Sequence, residues 1–372
     1  MKALAVYPQQ KQFRVIDNHP EPRLDSPSQV RAQMLEVGIC GTDKEIVTFE
    51  YGDPPEGFDY LVLGHESLAE IVETGSDVNG LQKGDLVVFS VRRPCHDPEC
   101  IACLSGRQDF CYTGEYQERG IKSRHEFMTE HVVEEAMYAH KVPRDLREVA
   151  VLVEPLTIAE KAVSQLWGIQ QRLPWVCPVK PGQPGGAWCH TALVLGAGPV
   201  GLLGAMKLVL EGFRTFVYSR LDSIEARANV VNAIGATFID AGKTSIEEMA
   251  KLIHEIDVVY EAVGASRLAF DVMPHLATNG VFIFTGVPGK DTKVPIDTAE
   301  LMKDRVLKNQ VIYGTVNAGP DAFRDAVHDL GEFYRRWPDA VRSVISNRIP
   351  IDRAAEPLSG KIAGIKNVIT LA

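Results

Sequence analysis

Along the first 150 positions, apolar residues fall in short alternating runs: Leu4 to Tyr7, Gln29 to Val37, Leu68 to Thr74, Asp85 to Phe89 and Phe127 to Val133. Glycine, proline and aspartate separate them. A period of two broken by turn formers predicts a domain rich in β-structure. A helical pattern follows from about Glu154 to Gln171, and then a segment rich in proline and glycine, residues 172–190. Such a segment holds neither a helix interior nor a central strand, and it is expected to be the hinge into a second domain. From Thr191 the rhythm changes. Apolar runs at Ala192 to Leu195, Thr215 to Tyr218, Thr237 to Ile239, Asp257 to Tyr260, Val281 to Phe284 and Val311 to Tyr313 now alternate with helical patterns. Six strands spaced by helices predict a doubly wound parallel sheet. The tail carries a helix, Ala322 to Arg335, and a last strand near Val368 to Leu371. The expected fold is therefore α/β in two domains, residues 1–190 rejoined by 316–372, and residues 191–315.

Composition narrows the function classes. The 372 residues carry a formal net charge of −10, which disfavours nucleic acid or an anionic membrane surface as partner. No apolar run is long enough to span a bilayer, and the N-terminal residues alternate like a strand without a signal-peptide cleavage pattern. The protein is expected in the cytoplasm, with its thiols reduced and available to metal.

Four of the seven cysteines, Cys95, Cys100, Cys103 and Cys111, crowd together as Cys-x4-Cys-x2-Cys-x7-Cys. Four thiolates close the coordination sphere of Zn²⁺, so this lobe is expected to hold a structural ion with no open position. The first run of the parallel sheet ends in Gly196-Ala197-Gly198-Pro199-Val200-Gly201. Gly196 permits the tight turn, Gly198 lets the backbone approach a pyrophosphate, and Gly201 allows close packing of helix on strand. Where an NAD-binding domain offers a carboxylate to the adenosine ribose, this chain has Ser219 and Arg220. A hydroxyl and a guanidinium suit a 2′-phosphate, so NADP is expected to be preferred over NAD.

A second metal constellation lies in the β-rich region: Cys40-Gly41-Thr42-Asp43, Gly64-His65-Glu66, and Glu154-Pro155 at the start of the long helix. Taken singly, these are an ordinary small hydrophobe, a core histidine and a helix-N-terminal acid. Converging from separated points, a thiolate, an imidazole and carboxylates make an open zinc site with room for water or substrate.

With these motifs in this order, the chain resembles the zinc-dependent medium-chain dehydrogenase/reductase superfamily over essentially its whole length. Within it, Val91-Arg92-Arg93-Pro94, Gly106-Arg107-Gln108-Asp109-Phe110-Cys111, Thr113-Gly114-Glu115, Glu160-Lys161-Ala162 and Val316-Asn317 resemble archaeal-type glucose 1-dehydrogenases. The resemblance implies a GroES-like catalytic domain beside a Rossmann domain, and two zinc ions per chain. Cys40, His65, Glu66 and Glu154 would surround the catalytic one. It implies Thr42 as proton relay, and Glu115, Glu154 and Asn317 at sugar hydroxyls. Thr285, Gly286, Val287, Thr315, Val316 and Asn317 would lie beside the nicotinamide end of the coenzyme, and Lys361 near it. The implied reaction oxidises an aldose, D-glucose first, at C1 to the lactone, in a homodimer or homotetramer. A zinc polyol or threonine-type alcohol dehydrogenase, and a non-catalytic nucleotide-binding zinc protein, are the alternatives. Ala69 departs from the glycine usual in the Gly-His-Glu signature, and Val91 and Ile158 stand where some members place polar residues.

Overall fold

The computed structural model describes residues 1–125, 127–178, 186–220, 224–289 and 293–371. In chain order it begins with β1 (Ala3–Tyr7), β2 (Gln12–Ile16), β3 (Gln29–Gly38), α1 (Gly41–Ile46), β4 (Leu61–Val62), β5 (Glu66–Thr74) and β6 (Leu86–Phe89). Next come β7 (Arg92–Arg93), α2 (Ile101–Leu104), β8 (Gln117–Arg119), β9 (Ser123–Arg124), β10 (His131–Glu135), β11 (Ala139–Val142) and α3 (Val153–Gln170). The following residues form β12 (Thr191–Leu195), α4 (Pro199–Leu210), β13 (Arg214–Ser219), α5 (Ile224–Ala233), β14 (Thr237–Asp240), α6 (Ile246–Ile253) and β15 (Ile256–Glu261). Then follow α7 (Ser266–Val272), β16 (Leu276–Phe284), α8 (Thr298–Leu307), β17 (Val311–Gly314), α9 (Pro320–Arg336), α10 (Pro338–Val344), β18 (Ile345–Pro350) and β19 (Lys366–Thr370).

Two compact units result: Met1–Thr157, Asn317–Glu332 and Ile345–Ala372 form one, and Ile158–Val316 with Phe333–Val344 the other. The sequence boundary at residue 190 falls inside the second unit, which takes α3 from Ile158 onward and also α10. In the first unit a sheet runs β11-β6-β5-β3-β19-β18, with β10 also on β3. Alternation along β3 buries Val30, Ala32, Met34 and Val37 in one core with Ile71, Val87, Phe89, Phe127 and Ile369. Pairing of β3 with β5 sets Gly38 opposite Glu66, and pairing of β19 with β3 sets Gly38 opposite Val368. The expected strand from Phe127 to Val133 begins later, at His131. Phe127 and Met128 owe their apolar character to full burial in the approach, where their N–H groups bond the carbonyls of Gly64 and Leu63. Ala69 is fully buried within β5, so the methyl group is absorbed by the core.

In the second unit six strands form a sheet in the order β14-β13-β12-β15-β16-β17, every pair parallel. Central strands such as β12 are buried throughout, as a sheet covered on both faces requires. The reading of all thiols as reduced fails for one pair: Cys177 and Cys189 are joined in a disulfide. Among the described residues, no helix is long and apolar enough to cross a membrane.

Three histidines of the first unit give the fold an acid-sensitive component. Burial holds His19, His125 and His140 down at about 4, helped by the N-terminal ammonium at His19, by His19 and Arg119 at His125, and by Arg93 at His140. Between about pH 6.5 and 4 the unfolded chain binds protons that the folded chain refuses, so their contribution to stability is full above 6.5 and falls as pH falls. Urea midpoints at pH 7, 5.5 and 4.5 should therefore decline more steeply for the parent protein than for a His19→Gln, His125→Gln variant. Parallel declines would show that these two rings do not titrate as placed.

Candidate zinc and coenzyme sites

Strand β3 delivers Cys40 and α1 follows at once. Cys40 is the N-cap residue of α1, and its own N–H donates to Asp43 Oδ2 at 2.8 Å. That bond anchors Asp43, which is fully buried, so that Oδ1 stands 3.6 Å from His65 Nδ1. His65 precedes β5 and Glu66 opens it. The ligand atoms of Cys40, His65 and Glu66 all lie within 4.8 Å of one another. Burial opposes a charge on His65, but Asp43 and Cys40 outweigh it and hold the ring well above its usual range. Of the four residues expected around the open zinc, the structure brings these three together, and Glu154 is not in their group. Glu154 is nevertheless buried and close enough to feel them. Burial pushes it up to about 7, with Glu66 and Asp43 adding to the effect and His65 and Lys366 opposing it. Thr42 stands beside the trio, its hydroxyl 3.9 Å from Cys40 Sγ.

The trio fits a cation. His65 and Glu66 are 5% and 1% exposed, and they turn an imidazole and a carboxylate toward the Cys40 thiol, a donor set that suits zinc. Asp43 facing the imidazole is the outer carboxylate that fixes tautomer and ring orientation at histidine metal sites. Lys366, from β19, also reaches this group. Its ammonium pairs with Glu66 Oε2, and the two side chains are 2% and 1% exposed. The pair fits because residue 38 has no side chain: a Cβ there would lie 2.0 Å from Glu66 Oε2 and 2.9 Å from Lys366 Cε.

The cysteine lobe also suits its expected ion. Its four sulfurs lie within 4.8 Å of one another, with Cys95 to Cys103 at 3.6 Å and Cys100 to Cys111 at 3.9 Å. A tetrahedron of zinc–sulfur bonds of about 2.3 Å has edges of about 3.8 Å. Burial disfavours the Cys111 thiolate, yet the Thr113 hydroxyl and the N–H groups of Thr113 and Gly114 bring it down to about 6. Cys95, Cys100 and Ala102 are the only fully packed members of the lobe's own core, while Ile101 and Leu104 are exposed. Sulfur, and not aliphatic packing, holds this loop together.

In the second unit the glycine loop is formed as expected. Gly196 has φ +97°, and a Cβ on Gly201 would stand 2.1 Å from the Gly196 carbonyl oxygen. Gly198 caps α4, Pro199 is its first residue, and nothing lies within 4 Å of where a Gly198 Cβ would be. Val200 continues the first turn, leaving free helix N–H groups for an anion. Ser219, which ends β13, is buried, and its Oγ accepts the Ala197 N–H at 3.2 Å. Its hydroxyl hydrogen remains to be donated, while Arg220 is exposed. Glu261, at the end of β15, takes the N–H groups of Val263 and Gly264 on Oε1, and its carbonyl accepts from Thr285 Oγ1 at 2.7 Å. Gly286 and Val287 follow, Val287 being 70% exposed. Thr315 is buried with Oγ1 unpartnered among the described residues, and the carbonyl of Val316 accepts from Lys161 Nζ.

Comparison with known proteins agrees with this arrangement. The family model described as alcohol dehydrogenase GroES-like domain matches residues 26–144, and that described as glucose dehydrogenase C-terminus matches residues 147–371. A glucose 1-dehydrogenase of Methanocella arvoryzae is 36% identical over 373 residues, covering 100% of this chain and 99% of the relative. The chain belongs to the glucose 1-dehydrogenase family. Another member, from Thermoproteus tenax, is 38% identical over 96% of this chain and 95% of its own. Among solved structures, the Haloferax mediterranei glucose dehydrogenase in complex with NADP, Zn and gluconolactone matches with a TM-score of 0.85 at 29% identity, covering 100% of this chain and 99% of that one.

Against the family pattern, the sugar positions are less uniform than the metal ones. Glu115 is exposed on the loop after Cys111, its N–H bonded to Thr113 Oγ1. Asn317 has φ +57° and both ends of its amide engaged, Nδ2 donating to Glu118 Oε1 at 2.9 Å and Oδ1 accepting from Ala318 N–H. Lys361 is exposed on a turn of the tail. Glu118 escaped the sequence reading. It is buried, and Arg92 grips its Oε1 through Nε and Nη2 while stacking 3.7 Å from the Tyr116 ring centroid. Arg92 stands in a recognisable motif, but its partner 26 positions on carries no local signal. Asp43 was visible beside Cys40 without a role, and Lys366 had no signal at all.

Proposed function

We propose that this protein is a zinc-dependent glucose 1-dehydrogenase that oxidises D-glucose at C1 to the lactone and prefers NADP to NAD. The observation that carries the reading is the trio of half-buried Cys40 and buried His65 and Glu66, with Asp43 behind the imidazole, in a chain that also forms the glycine loop of a coenzyme site. A zinc ion held there supplies Lewis-acid activation of a hydroxyl, and the nicotinamide, when bound, takes up hydride. The chain's own groups do the remaining work. Asp43 keeps His65 oriented. Thr42 accepts the proton of the C1 hydroxyl and passes it outward. Glu154, Glu115 and Asn317 accept or donate to the other sugar hydroxyls, Asn317 after exchanging its bond to Glu118. Thr285, Gly286, Val287, Thr315, Val316 and Lys361 are assigned to the coenzyme. A site that pairs several hydroxyls with polar groups rejects analogues lacking one, because the orphaned group is costly. Initial rates with glucose, galactose, xylose and simple secondary alcohols, against NADP and NAD, test the proposal. Activity confined to alcohols would overturn it, and unchanged sugar selectivity in Glu115→Gln would remove that residue from the site.

Coenzyme preference follows from Ser219 and Arg220. A carboxylate at 219 would still accept the Ala197 N–H, but it would face a 2′-phosphate with like charge and welcome a free ribose diol. Ser219→Asp is expected to shift the ratio of specificity constants toward NAD by at least about tenfold, roughly 1.4 kcal/mol. An unmoved ratio would mean that the phosphate is read elsewhere.

The protein is further proposed to be a cytoplasmic homo-oligomer. Strand β17 is an unpaired edge of the six-stranded sheet, and near it in sequence Met302, Val306, Leu307 and Ile312 are exposed. Such an edge with apolar neighbours is ordinarily covered. Light scattering should give a mass of two or four chains. A stable single-chain mass at micromolar concentration would exclude assembly.

A further inference from the structure

The glycine loop is held by its middle residue, Ala197, from two sides. Ala197 is fully buried. Its N–H donates to Ser219 Oγ at 3.2 Å, which fixes the peptide plane between Gly196 and Ala197. Its carbonyl oxygen accepts from Arg227 Nη1 at 2.5 Å, which fixes the next plane, between Ala197 and Gly198. All peptide bonds described are trans, so the Gly198 N–H points opposite to the Ala197 carbonyl. With the carbonyl drawn inward to Arg227, that N–H is turned outward, and nothing lies within 4 Å of where a Gly198 Cβ would be. Among the described residues, no acceptor meets it.

Arg227 reaches that carbonyl from a neighbouring helix. It lies in the first turn of α5, where a cation opposes the helix dipole. It is also buried, and burial lowers its pKa. From there its guanidinium aims a donor at the loop carbonyl.

We propose that Arg227 is a positioning residue of the coenzyme site: by holding the Ala197 carbonyl it sets the Gly198 N–H toward the coenzyme's pyrophosphate. This rests on the reading of the loop as a dinucleotide site. The pyrophosphate is common to both coenzymes, so Arg227 serves NADP and NAD equally, unlike Arg220 and the Ser219 hydroxyl.

The test uses the full-length, zinc-loaded protein and fluorescence titration with NADPH, NADH and adenosine 2′-monophosphate, which carries the 2′-phosphate but no pyrophosphate. In Arg227→Met, affinity for NADPH and NADH should fall by the same factor, about ten- to a hundredfold, as when a charged hydrogen bond is lost. Binding of adenosine 2′-monophosphate should be unchanged. Arg227→Lys, which keeps a donor, should recover part of both affinities and covers the case in which the methionine variant does not fold. Loss confined to NADPH and adenosine 2′-monophosphate would overturn the proposal and make Arg227 a reader of the 2′-phosphate. Unchanged affinities with a lowered melting temperature would overturn it in favour of a purely structural strut. A parent protein that binds neither NADPH nor NADH would instead defeat the dinucleotide reading itself.

Discussion

His65→Ala is expected to leave one zinc ion per chain where the parent holds two, and to lower kcat/KM for glucose by at least about a thousandfold. His65 is one of three residues whose ligand atoms lie within 4.8 Å of one another, and with alanine only Cys40 and Glu66 remain in that group. Two donors do not hold zinc against solvent where the ordinary site uses three or four. Lewis-acid activation contributes several kcal/mol to the transition state, and about 4 kcal/mol corresponds to a thousandfold. The cysteine lobe shares no ligand with this site, so its ion should stay. Metal analysis by plasma emission and steady-state kinetics on the same sample decide the matter. Full activity with one zinc, or loss of both ions, would mean that the trio does not hold the working metal.

The second large effect is expected from Lys366→Met. Lys366 and Glu66 are both almost wholly removed from solvent, and the lysine also faces Cys40 and Glu154. Burial opposes the ammonium, but these three groups outweigh it and keep its pKa raised. Deleting one partner of a buried pair leaves the other charge uncompensated, at a cost of about 3–5 kcal/mol. The zinc-free variant should therefore unfold at markedly lower urea concentration than the zinc-free parent. Zinc should recover more of the loss in the variant than it adds to the parent, because Glu66 then has only the metal as counter-charge. A variant as stable as the parent without zinc would show that the pair is not formed in solution. A variant equally weakened with and without zinc would show that Glu66 does not reach the metal.

Much of the candidate site was legible because its residues sit in short, chemically unusual strings. Cys95, Cys100, Cys103 and Cys111 fall close enough in the chain that a loop alone brings them together, and the sulfur distances agree. Gly196 and Gly201 announce a turn that only residues without a Cβ can make, and the clash at Gly201 is backbone on backbone. The central strands of the second unit were legible as apolar runs, since a strand buried on both faces has to be a continuous apolar run. Less was legible where contact depends on register. Phe127 and Met128 read as a strand because burial in an irregular segment asks for the same residue types. Ser219 stands visibly at the end of β13, but its tie to the Ala197 N–H, 22 positions away, leaves no local signal. Asn317 stands in a recognisable string, but the Glu118 carboxylate that accepts from its amide is not legible from that string.

By itself the sequence determined the fold class, the four-cysteine string and the glycine loop, because each depends on residues a few positions apart or on a repeated period. Tertiary structure alone decided which charges meet. Glu66 and Lys366 are separated by 300 positions in the chain, and they pair because β19 closes on β3 beside a glycine that leaves them room. Arg227 reaches the coenzyme loop only because α5 packs its first turn beneath Ala197. Local sequence is constrained by backbone geometry and leaves a pattern, whereas a pair of buried side chains is constrained by the register of strands that the pattern of neither partner records.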